Sequence, residues 1–200
     1  MNNSVDNSID YVAKAFLDSQ DNWECFKSPD FRQKITKIGT ILADCLKSGG
    51  KILIAGNGGS HCSALHFAEE LTGRFRKDRR PLAAIALGEA THASCVSNDY
   101  GERLVFDRQV RAFGKSGDVL LLLSTSGQSP NLKQTLASAQ EQDMQTVALL
   151  GKGGGALLNM VRDGLVFPGK TSDRIQELQM FTLHLLVELI ERDLFPELYE

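Results

Sequence analysis

The chain has 200 residues, of which 42% are hydrophobic and 24% are charged, with a formal net charge of −3 at pH 7. These values are ordinary for one globular domain with a sizeable core, and they do not indicate nucleic-acid or membrane-surface binding, which favours basic residues. Because the sequence has no long uncharged apolar run and its first residues are acidic rather than basic, we expect a cytoplasmic protein.

Two helical patterns come first in the chain. The segment "SIDYVAKAFLDSQ", residues 8–20, has apolar residues at helical spacing. The second helix begins at Pro29, with Ser28 as its N-cap, and ends before Gly49 and Gly50. The sequence therefore predicts a helical hairpin at the N-terminus.

The hairpin has apolar faces that one sheet would not fully cover. The apolar stripe of its first helix consists of Ile9, Val12, Ala13 and Phe16. We therefore expect residues 1–48 to take part in oligomerisation and residues 49–200 to form an α/β core, both within one domain that spans residues 1–200.

Five short apolar runs follow and alternate with helical patterns. They cover residues 51–56, 82–87, 118–124, 146–151 and 164–168. The runs are apolar throughout, which is typical of strands that are buried on both faces. The intervening helices favour βαβ units and a parallel sheet, and a long amphipathic helix over residues 172–193 closes the chain.

A glycine-rich turn, "GNGGS", follows the first predicted strand. It is not a dinucleotide-binding motif, because His61 stands where the last glycine is needed, and it is not a P-loop, because no Lys-Ser or Lys-Thr pair follows. Backbone N–H groups at a helix start and the hydroxyl of Ser60 suit an anion. The alternative is a tight turn in which the glycines only supply positive φ angles.

A hydroxyl-rich loop, "STSGQS", follows the third predicted strand. Its hydroxyls belong to Ser124, Thr125, Ser126 and Ser129. Ser129 before Pro130 could simply cap a helix, but a cap needs only one hydroxyl. We therefore predict that this loop binds phosphate. The run "GKGGG" after the fourth strand is assigned no role.

Two histidines and a carboxylate have spacings that fit either a reactive site or ordinary packing. His66 and Glu70 are four residues apart, so they share one helix face and could bind a metal, transfer protons or form a surface pair. His184 lies among apolar residues of the last helix, where it is either a core residue or a ligand. Gln176 lies about 80° from it around that helix.

The four cysteines form no CxxC pair, so the sequence predicts neither a zinc ribbon nor a redox motif. We predict that Cys25, Cys45, Cys62 and Cys95 are free and mostly buried.

Several segments together resemble the bacterial phosphoheptose isomerases, a family built on the sugar-isomerase (SIS) domain. These segments are "CLKSGGKILIAGNGGSHCSALHFAEELTGRF", "NDYG", "STSGQS" and "SDRIQELQMFTLHLLVELIE". The resemblance extends over nearly the whole chain, and the motifs occur in the family's order.

The resemblance implies a three-layer α-β-α sandwich with a five-stranded parallel sheet. It implies a cytoplasmic homotetramer whose active sites are shared between subunits, with no nucleic-acid or membrane partner. The implied activity is an aldose–ketose isomerisation of sedoheptulose 7-phosphate to D-glycero-D-manno-heptose 7-phosphate through an enediol. This reaction is the first step toward the heptose of lipopolysaccharide or related glycoconjugates.

The resemblance also implies the roles of individual residues. Glu70 and His184 would be catalytic, and one zinc ion per subunit would be held by His66, Glu70, Gln176 and His184. The residues expected to contact the substrate are Asn57, Gly58, Gly59, Ser60, Asn98, Asp99, Ser124, Thr125, Ser126, Ser129, Asp173 and Gln176. One departure is Gln179, where several members of the family have histidine.

Two other functions remain open. The C-terminal "DLFPELYE" is similar to that of a non-catalytic protein of this fold that binds the bacterial replication initiator, although that protein lacks the catalytic residues present here. The chain could also be an isomerase or a sensor for another sugar phosphate, since phosphate capture would be the same.

Overall fold

The computed structural model describes residues 3–200, with side chains described from residue 8 onward, and its centre is a five-stranded sheet. The strands are β1 (Ile52–Gly56), β2 (Ala84–Ala86), β3 (Val119–Ser124), β4 (Gln145–Leu150) and β5 (Asp163–Val166). All neighbours are parallel, in the order β2-β1-β3-β4-β5. The predicted α/β class and parallel sheet are confirmed, and every strand end lies within two residues of its predicted position.

The helices of the described residues account for most of the remaining chain. They are α1 (Asn3–Trp23), α2 (Pro29–Lys47), α3 (Gly59–Thr72), α4 (Ala90–Tyr100), α5 (Asp107–Phe113), α6 (Pro130–Glu141), α7 (Gly155–Leu158) and α8 (Ser172–Leu194). As predicted, Ser28 caps α2 by accepting from the N–H of Phe31 at 3.4 Å, with Pro29 at the first helical position. Within residues 3–200, no helix combines the length and the apolar character needed to cross a bilayer.

Helices cover both faces of the sheet. Alternate strand residues point to opposite faces, and both sets are apolar. Ile52 and Ile54 pack with α2, α3 and α8, whereas Leu53 and Ala55 pack with α4, α5, α6 and α7. Burial of each large apolar side chain stabilises the fold by about 1.5–3 kcal/mol, so the uniformly apolar strands join both helical layers into one sandwich.

The carboxyl edge of the sheet is the place where a ligand site is expected. The strand order reverses direction between β1 and β3, so the crossovers that follow these two strands run to opposite faces. In open parallel sheets such a reversal leaves a crevice beyond the strand ends. Helix α3 begins soon after β1 ends, α6 begins soon after β3 ends, and α8 follows β5.

Helix α1 is much less covered than α2. Ser19 donates to Glu177 of α8 at 3.0 Å, and Trp23 packs edge-on against Phe181 of α8 with ring centroids 4.9 Å apart. The apolar residues earlier in α1 remain largely exposed, with Val12 at 68% and Phe16 at 67%. Within one chain, therefore, the apolar stripe of α1 faces solvent.

The prediction of mostly buried cysteines is wrong. All four thiols are free, as expected, but only Cys45 is buried; Cys25 is half-buried, and Cys62 and Cys95 are exposed. Cys62 lies on the outer side of α3, and a cysteine by itself does not indicate which side of a helix faces the core.

Candidate active site

A polar cavity of about 210 Å³ lies at the carboxyl edge of the sheet. It brings together hydroxyl and amide side chains from the turn after β1, the loop after β3 and the start of α8. The described residues that line it are Asn57, Ser60, Leu123, Ser124, Thr125, Ser126, Ser129, Leu132, Ser172 and Gln176. We call this space the serine cavity.

Two hydroxyls of the loop after β3 accept hydrogen bonds from the loop's own backbone. Ser124 accepts a hydrogen bond from the N–H of Gly127 at 3.0 Å, and Ser126 accepts one from the N–H of Gln128 at 3.2 Å. Because the oxygens of these hydroxyls are the acceptors in both bonds, their O–H groups remain able to donate to a ligand. Ser129 stands at the N-cap of α6, but its side chain makes no capping bond there. Capping therefore does not explain this density of hydroxyls.

The serine cavity combines uncharged side chains with the starts of three helices. Among the described residues, none of the side chains that line it is charged. The N-termini of α3, α6 and α8 all meet at its rim, since Ser60, Ser129 and Ser172 lie at or next to the starts of these helices. Each helix N-terminus carries a partial positive charge, and three together favour a phosphate group.

A second glycine-rich segment fixes the shape of the hydroxyl-rich loop. Gly127 has a φ of +62°, and a Cβ placed on it would lie 1.9 Å from the carbonyl oxygen of Gly154. The N–H of Leu157 donates to the carbonyl of Gly127 at 3.1 Å. The run "GKGGG", to which the sequence assigned no role, therefore packs its backbone against the loop that carries Ser124 and Ser126.

The glycine turn after β1 forms the other wall of the serine cavity. Asn57 and Asn131 pair through two amide hydrogen bonds of 3.0 and 2.8 Å. Gln176 of α8 donates to the hydroxyl of Ser60 at 3.4 Å. A Cβ on Gly59 would lie 2.8 Å from the amide of Gln176, so this glycine allows the close approach of α8. Gly58 lies in the same turn with a φ of +53°.

A cluster of two imidazoles and one carboxylate lies farther along α3 and α8. Nε2 of His66 is 3.0 Å from Nε2 of His184 and 3.3 Å from Oε1 of Glu70. One possible ligand atom from each residue lies within 4.8 Å of the others. The structure thus brings His66 and Glu70 of α3 together with His184 of α8, although 118 residues separate the two histidines in the chain.

The cluster fits a zinc ion in donor type and spacing. Imidazole nitrogens and a carboxylate are common zinc ligands, and donors about 2.1 Å from a tetrahedral ion lie roughly 3.4 Å from one another. Burial lowers the pKa of His184, and the neighbouring His66 lowers this pKa further, while Glu70 opposes the shift. His184 is therefore favoured in its neutral form, in which a ring nitrogen can bind a metal or accept a proton.

The serine cavity and the cluster lie along one seam between α3 and α8. Ser60 meets Gln176 near the starts of the two helices, and His66 meets His184 farther along. His66 is six residues after Ser60 and His184 is eight after Gln176, which corresponds to about 9 and 12 Å along the two helices. A ligand that occupies both places must therefore be an extended chain with an anionic group at one end.

Three predicted substrate contacts lie elsewhere in the single chain. Asn98 and Asp99 are exposed near the end of α4, where Asn98 donates to Asp99 at 2.7 Å. Asp173 is exposed at the start of α8 and lines a different cavity, of about 480 Å³, together with Lys14 and Tyr11 of α1. Their contact with the sugar stays a prediction. Gln179, the position that departs from the family, is buried and donates to the carbonyl of Leu149 at 2.8 Å.

Several residues at the site were not predicted from the sequence. The hydroxyl of Ser172 lies 3.1 Å from that of Thr125, Asn131 orients Asn57, and Phe75 stacks on His184 with ring centroids 6.0 Å apart. Ser172 and Asn131 each lie at the beginning of a helix at the carboxyl edge. Their position at a helix start on this edge could have identified these two residues. No local pattern in the sequence indicated that Phe75 contacts His184.

The parallel sheet and the hydroxyl-lined cavity at its carboxyl edge define a protein of the SIS class, and the SIS domain model matches residues 27–151. The chain belongs to the phosphoheptose isomerases. It is 48% identical over 168 residues to the phosphoheptose isomerase of Fusobacterium nucleatum subsp. nucleatum, covering 84% of this chain and 87% of the relative. The phosphoheptose isomerase of Proteus mirabilis is 47% identical over 163 residues, covering 81% and 85%.

Solved structures agree with this assignment. The phosphoheptose isomerase of Neisseria gonorrhoeae superposes with a TM-score of 0.84 at 37% identity, covering 91% of this chain and 97% of that one. The phosphoheptose isomerase of Francisella tularensis gives a TM-score of 0.87 at 34% identity, covering 92% and 98%. The family and the fold inferred from the sequence motifs are confirmed.

We predict that Gly127→Ala destabilises the chain more than Gly153→Ala does. Both glycines have positive φ angles, but Gly153 has no atom within 4 Å of an added Cβ, whereas Gly127 would collide with backbone. We expect Gly153→Ala to lower the free energy of unfolding by about 1–2 kcal/mol and Gly127→Ala by more. Urea unfolding measures both, and equal losses would contradict the packing described here. Calorimetry should also show weaker binding of inorganic phosphate to the Gly127 variant only.

Proposed function

We propose that this isomerase interconverts sedoheptulose 7-phosphate and D-glycero-D-manno-heptose 7-phosphate. The observation that carries the proposal is the seam between α3 and α8. This seam joins a phosphate-sized, hydroxyl-lined cavity to a cluster made of His66, Glu70 and His184. A heptose 7-phosphate has its charged group at one end and its carbonyl at the other, which matches this arrangement.

The serine cavity would hold the phosphate group. The hydroxyls of Ser60, Ser124, Thr125, Ser126 and Ser129 would donate to its oxygens, and Asn57 would contribute from the glycine turn, where Gly58 and Gly59 let the backbone approach. Hydrogen bonds to a charged partner contribute about 1.5–3 kcal/mol each. Because the phosphate lies far from the reacting carbons, this binding energy serves to place C1 and C2 of the sugar against the cluster.

The proton transfers would be made by Glu70 and His184. The Glu70 carboxylate, whose side chain is only 14% exposed, would remove the proton from C1 of the ketose. The same carboxylate would return a proton to C2 of the resulting enediol. His184, favoured as a neutral ring, would move a proton between O1 and O2 as the carbonyl changes position. The reaction conserves all atoms and electrons, so only protons need to move.

His66, Glu70, Gln176 and His184 would hold one zinc ion per subunit. When bound, zinc would polarise the carbonyl oxygen and stabilise negative charge that develops on it. The close approach of two ring nitrogens and a carboxylate oxygen supports the first three protein ligands. Gln176 is the outlying member, because its amide contacts Ser60 in the serine cavity, so it would connect the two parts of the site. Asn98, Asp99 and Asp173 would contact sugar hydroxyls.

The active form would be a homotetramer with shared active sites. The exposed apolar stripe of α1 supports self-association, because large contiguous apolar patches on a single chain usually mark an interface. The cavity beside Asp173 is lined by residues of α1 and of the start of α8, so a partner subunit that packs on α1 would lie next to this cavity. We also place the protein in the cytoplasm, since the exposed free thiols of Cys62 and Cys95 suit a reducing compartment.

The other functions considered are less well supported. A non-catalytic protein that binds the replication initiator would not need His66, Glu70 and His184 to converge. A sensor for another sugar phosphate would need only the serine cavity. The close relatives carry the name phosphoheptose isomerase, and this name favours an enzyme over both alternatives.

We predict that the parent chain converts sedoheptulose 7-phosphate to an aldoheptose phosphate and that Glu70→Gln does not. Loss of the base should lower kcat by about 10²–10⁴-fold, while substrate binding measured by calorimetry changes little. Proton NMR in D₂O should show deuterium entering the sugar only with the parent. Glu141→Gln, on the exposed end of α6, is the control. Near-normal turnover by Glu70→Gln would remove Glu70 from the role of base.

We predict that Ser126→Ala raises KM for the sugar phosphate by about tenfold or more and changes kcat much less. The lost hydroxyl contacts the phosphate and not the reacting carbons, so its removal weakens substrate and transition state alike. Steady-state kinetics measure the two constants. Ser116→Ala, an exposed residue just before β3, is the control. An unchanged KM would exclude Ser126 from the phosphate site.

We predict that Phe16→Asp lowers the molecular mass in solution. A charge in the middle of the apolar stripe of α1 would have to be buried at the interface, which is unfavourable without a partner. Light scattering coupled to gel filtration should give the mass of four chains for the parent and a smaller mass for the variant. Phe113→Asp, at an exposed position on the other helical layer, should keep the parent mass. A tetrameric Phe16→Asp variant would show that α1 is not the interface.

A further inference from the structure

One buried guanidinium contacts the helix end that carries Glu70. The side chain of Arg79 is only 1% exposed. One of its terminal nitrogens donates to the carbonyl of Glu70 at 2.6 Å, and the other donates to the carbonyls of Leu71 and Gly73 at 2.9 and 3.0 Å. The N–H on Nε donates to Glu191 of α8 at 2.9 Å. Arg79 is therefore shared between α3 and α8.

Glu70 needs this support because of its position in α3. The helix ends at Thr72, so Glu70 lies in its last turn, where the carbonyl groups have no partners within the helix and the chain tends to fray. None of the residues in the last turn of α3 is basic. Arg79, which follows the helix in the chain, supplies both the missing donors and a positive charge at the negative end of the helix dipole.

Glu191, the ion-pair partner of Arg79, is held in place by its own contacts. Glu191 is buried on α8, seven residues after His184, and its second oxygen accepts from the phenol of Tyr199 at 2.6 Å. Burial and the contact with Glu191 raise the pKa of Tyr199, so the phenol keeps its proton and remains a donor. Leu71 gains a second bond, since its carbonyl also accepts from Leu82 at 3.0 Å. The guanidinium is thus held at both ends, by the last turn of α3 and by α8.

We propose that Arg79 is a positioning residue that fixes the last turn of α3 against α8 and so sets the placement of the Glu70 carboxylate relative to His184. This inference rests on the proposed isomerase function. Arg79 lies beyond the cluster, at the end of the seam opposite the serine cavity, so it influences the reacting end of the substrate rather than the phosphate end.

The experiment compares Arg79→Lys and Arg79→Met with Lys51→Met. Lysine keeps the charge opposite Glu191 but cannot reach the three carbonyls at once, because its donors lie at one point. Lys51 forms another largely buried ion pair, with Asp118 at 2.5 Å, at the amino edge of the sheet and remote from the site. Replacing Lys51 also leaves a buried carboxylate without its cation, but it does not touch α3. Kinetic constants are normalised to the folded fraction of each protein.

We expect both Arg79 variants to lower kcat by about 10- to 100-fold, the range found when residues that orient a reactive side chain are replaced. KM should change much less, because the serine cavity is intact. Lys51→Met should keep the parent kcat. Titration of the metal-free proteins with Co²⁺, followed by visible absorption, should show weaker binding for the Arg79 variants only, since Glu70 is one of the proposed ligands.

Several outcomes would overturn the proposal. One is a kcat per folded site in both Arg79 variants equal to that of Lys51→Met. Another is failure of both Arg79 variants to fold while Lys51→Met folds, which would assign Arg79 to the fold alone. If Arg79→Met does not fold, the proposal is decided by comparing the kcat per folded site of Arg79→Lys with that of Lys51→Met. A parent chain without activity on sedoheptulose 7-phosphate would instead overturn the proposed function, and a parent that binds no Co²⁺ would overturn only its metal site.

Discussion

The side-by-side packing of α3 and α8 in the same direction is the constraint on which the site depends. Both helices begin at the carboxyl edge of the sheet and lie in the same layer, so their residues meet in matching order. Ser60 meets Gln176, His66 meets His184, and Arg79 reaches Glu191. A shift of one helix turn would move these contacts by about 5.4 Å and separate every pair. The geometry of the proposed active site is therefore a property of this helix pair.

The proposed phosphate site uses neutral side chains. The lining side chains of the serine cavity offer hydroxyls and amides, and the positive potential comes from the aligned peptide dipoles of three helices. Such donors point in fixed directions, because each belongs to a helix start or to a loop packed against one. A lysine or arginine would bring a full charge but also a long flexible side chain. Compared with such a cation, the neutral donors attract an anion less strongly, but their hydrogen-bond directions are fixed.

Local features of the sequence were sufficient to predict most of the fold. The uniformly apolar runs identified the strands because both faces of each strand are covered, and Ser28 with Pro29 marked the start of α2. The glycine turn and the hydroxyl-rich loop pointed to the carboxyl edge because residues just after parallel strands share that edge. The roles of Glu70 and His184 came from the family resemblance rather than from the pattern.

Contacts between distant segments could not be predicted in this way. Arg79 and Glu191 are 112 residues apart, and an arginine in the segment "RKDRR" gives no sign that it is the buried one. The exposure of Cys62 could not be predicted either. Small residues surround it in α3, so the pattern does not show which side of that helix faces solvent. Each of these features depends on the relative placement of two elements, which the tertiary packing alone determines.

The contact between the backbones of Gly127 and Gly154 has a consequence for ligand exchange. Two loops that follow neighbouring strands, β3 and β4, pack backbone against backbone at these glycines, so a movement of one loop requires an adjustment of the other. The surface proposed to bind phosphate is therefore preorganised: most of the entropy cost of ordering it is met when the chain folds, and little would remain for the moment of binding. Substrate entry and product release would then depend on motions outside this loop pair, with the anion recognised by a surface that keeps one shape throughout turnover.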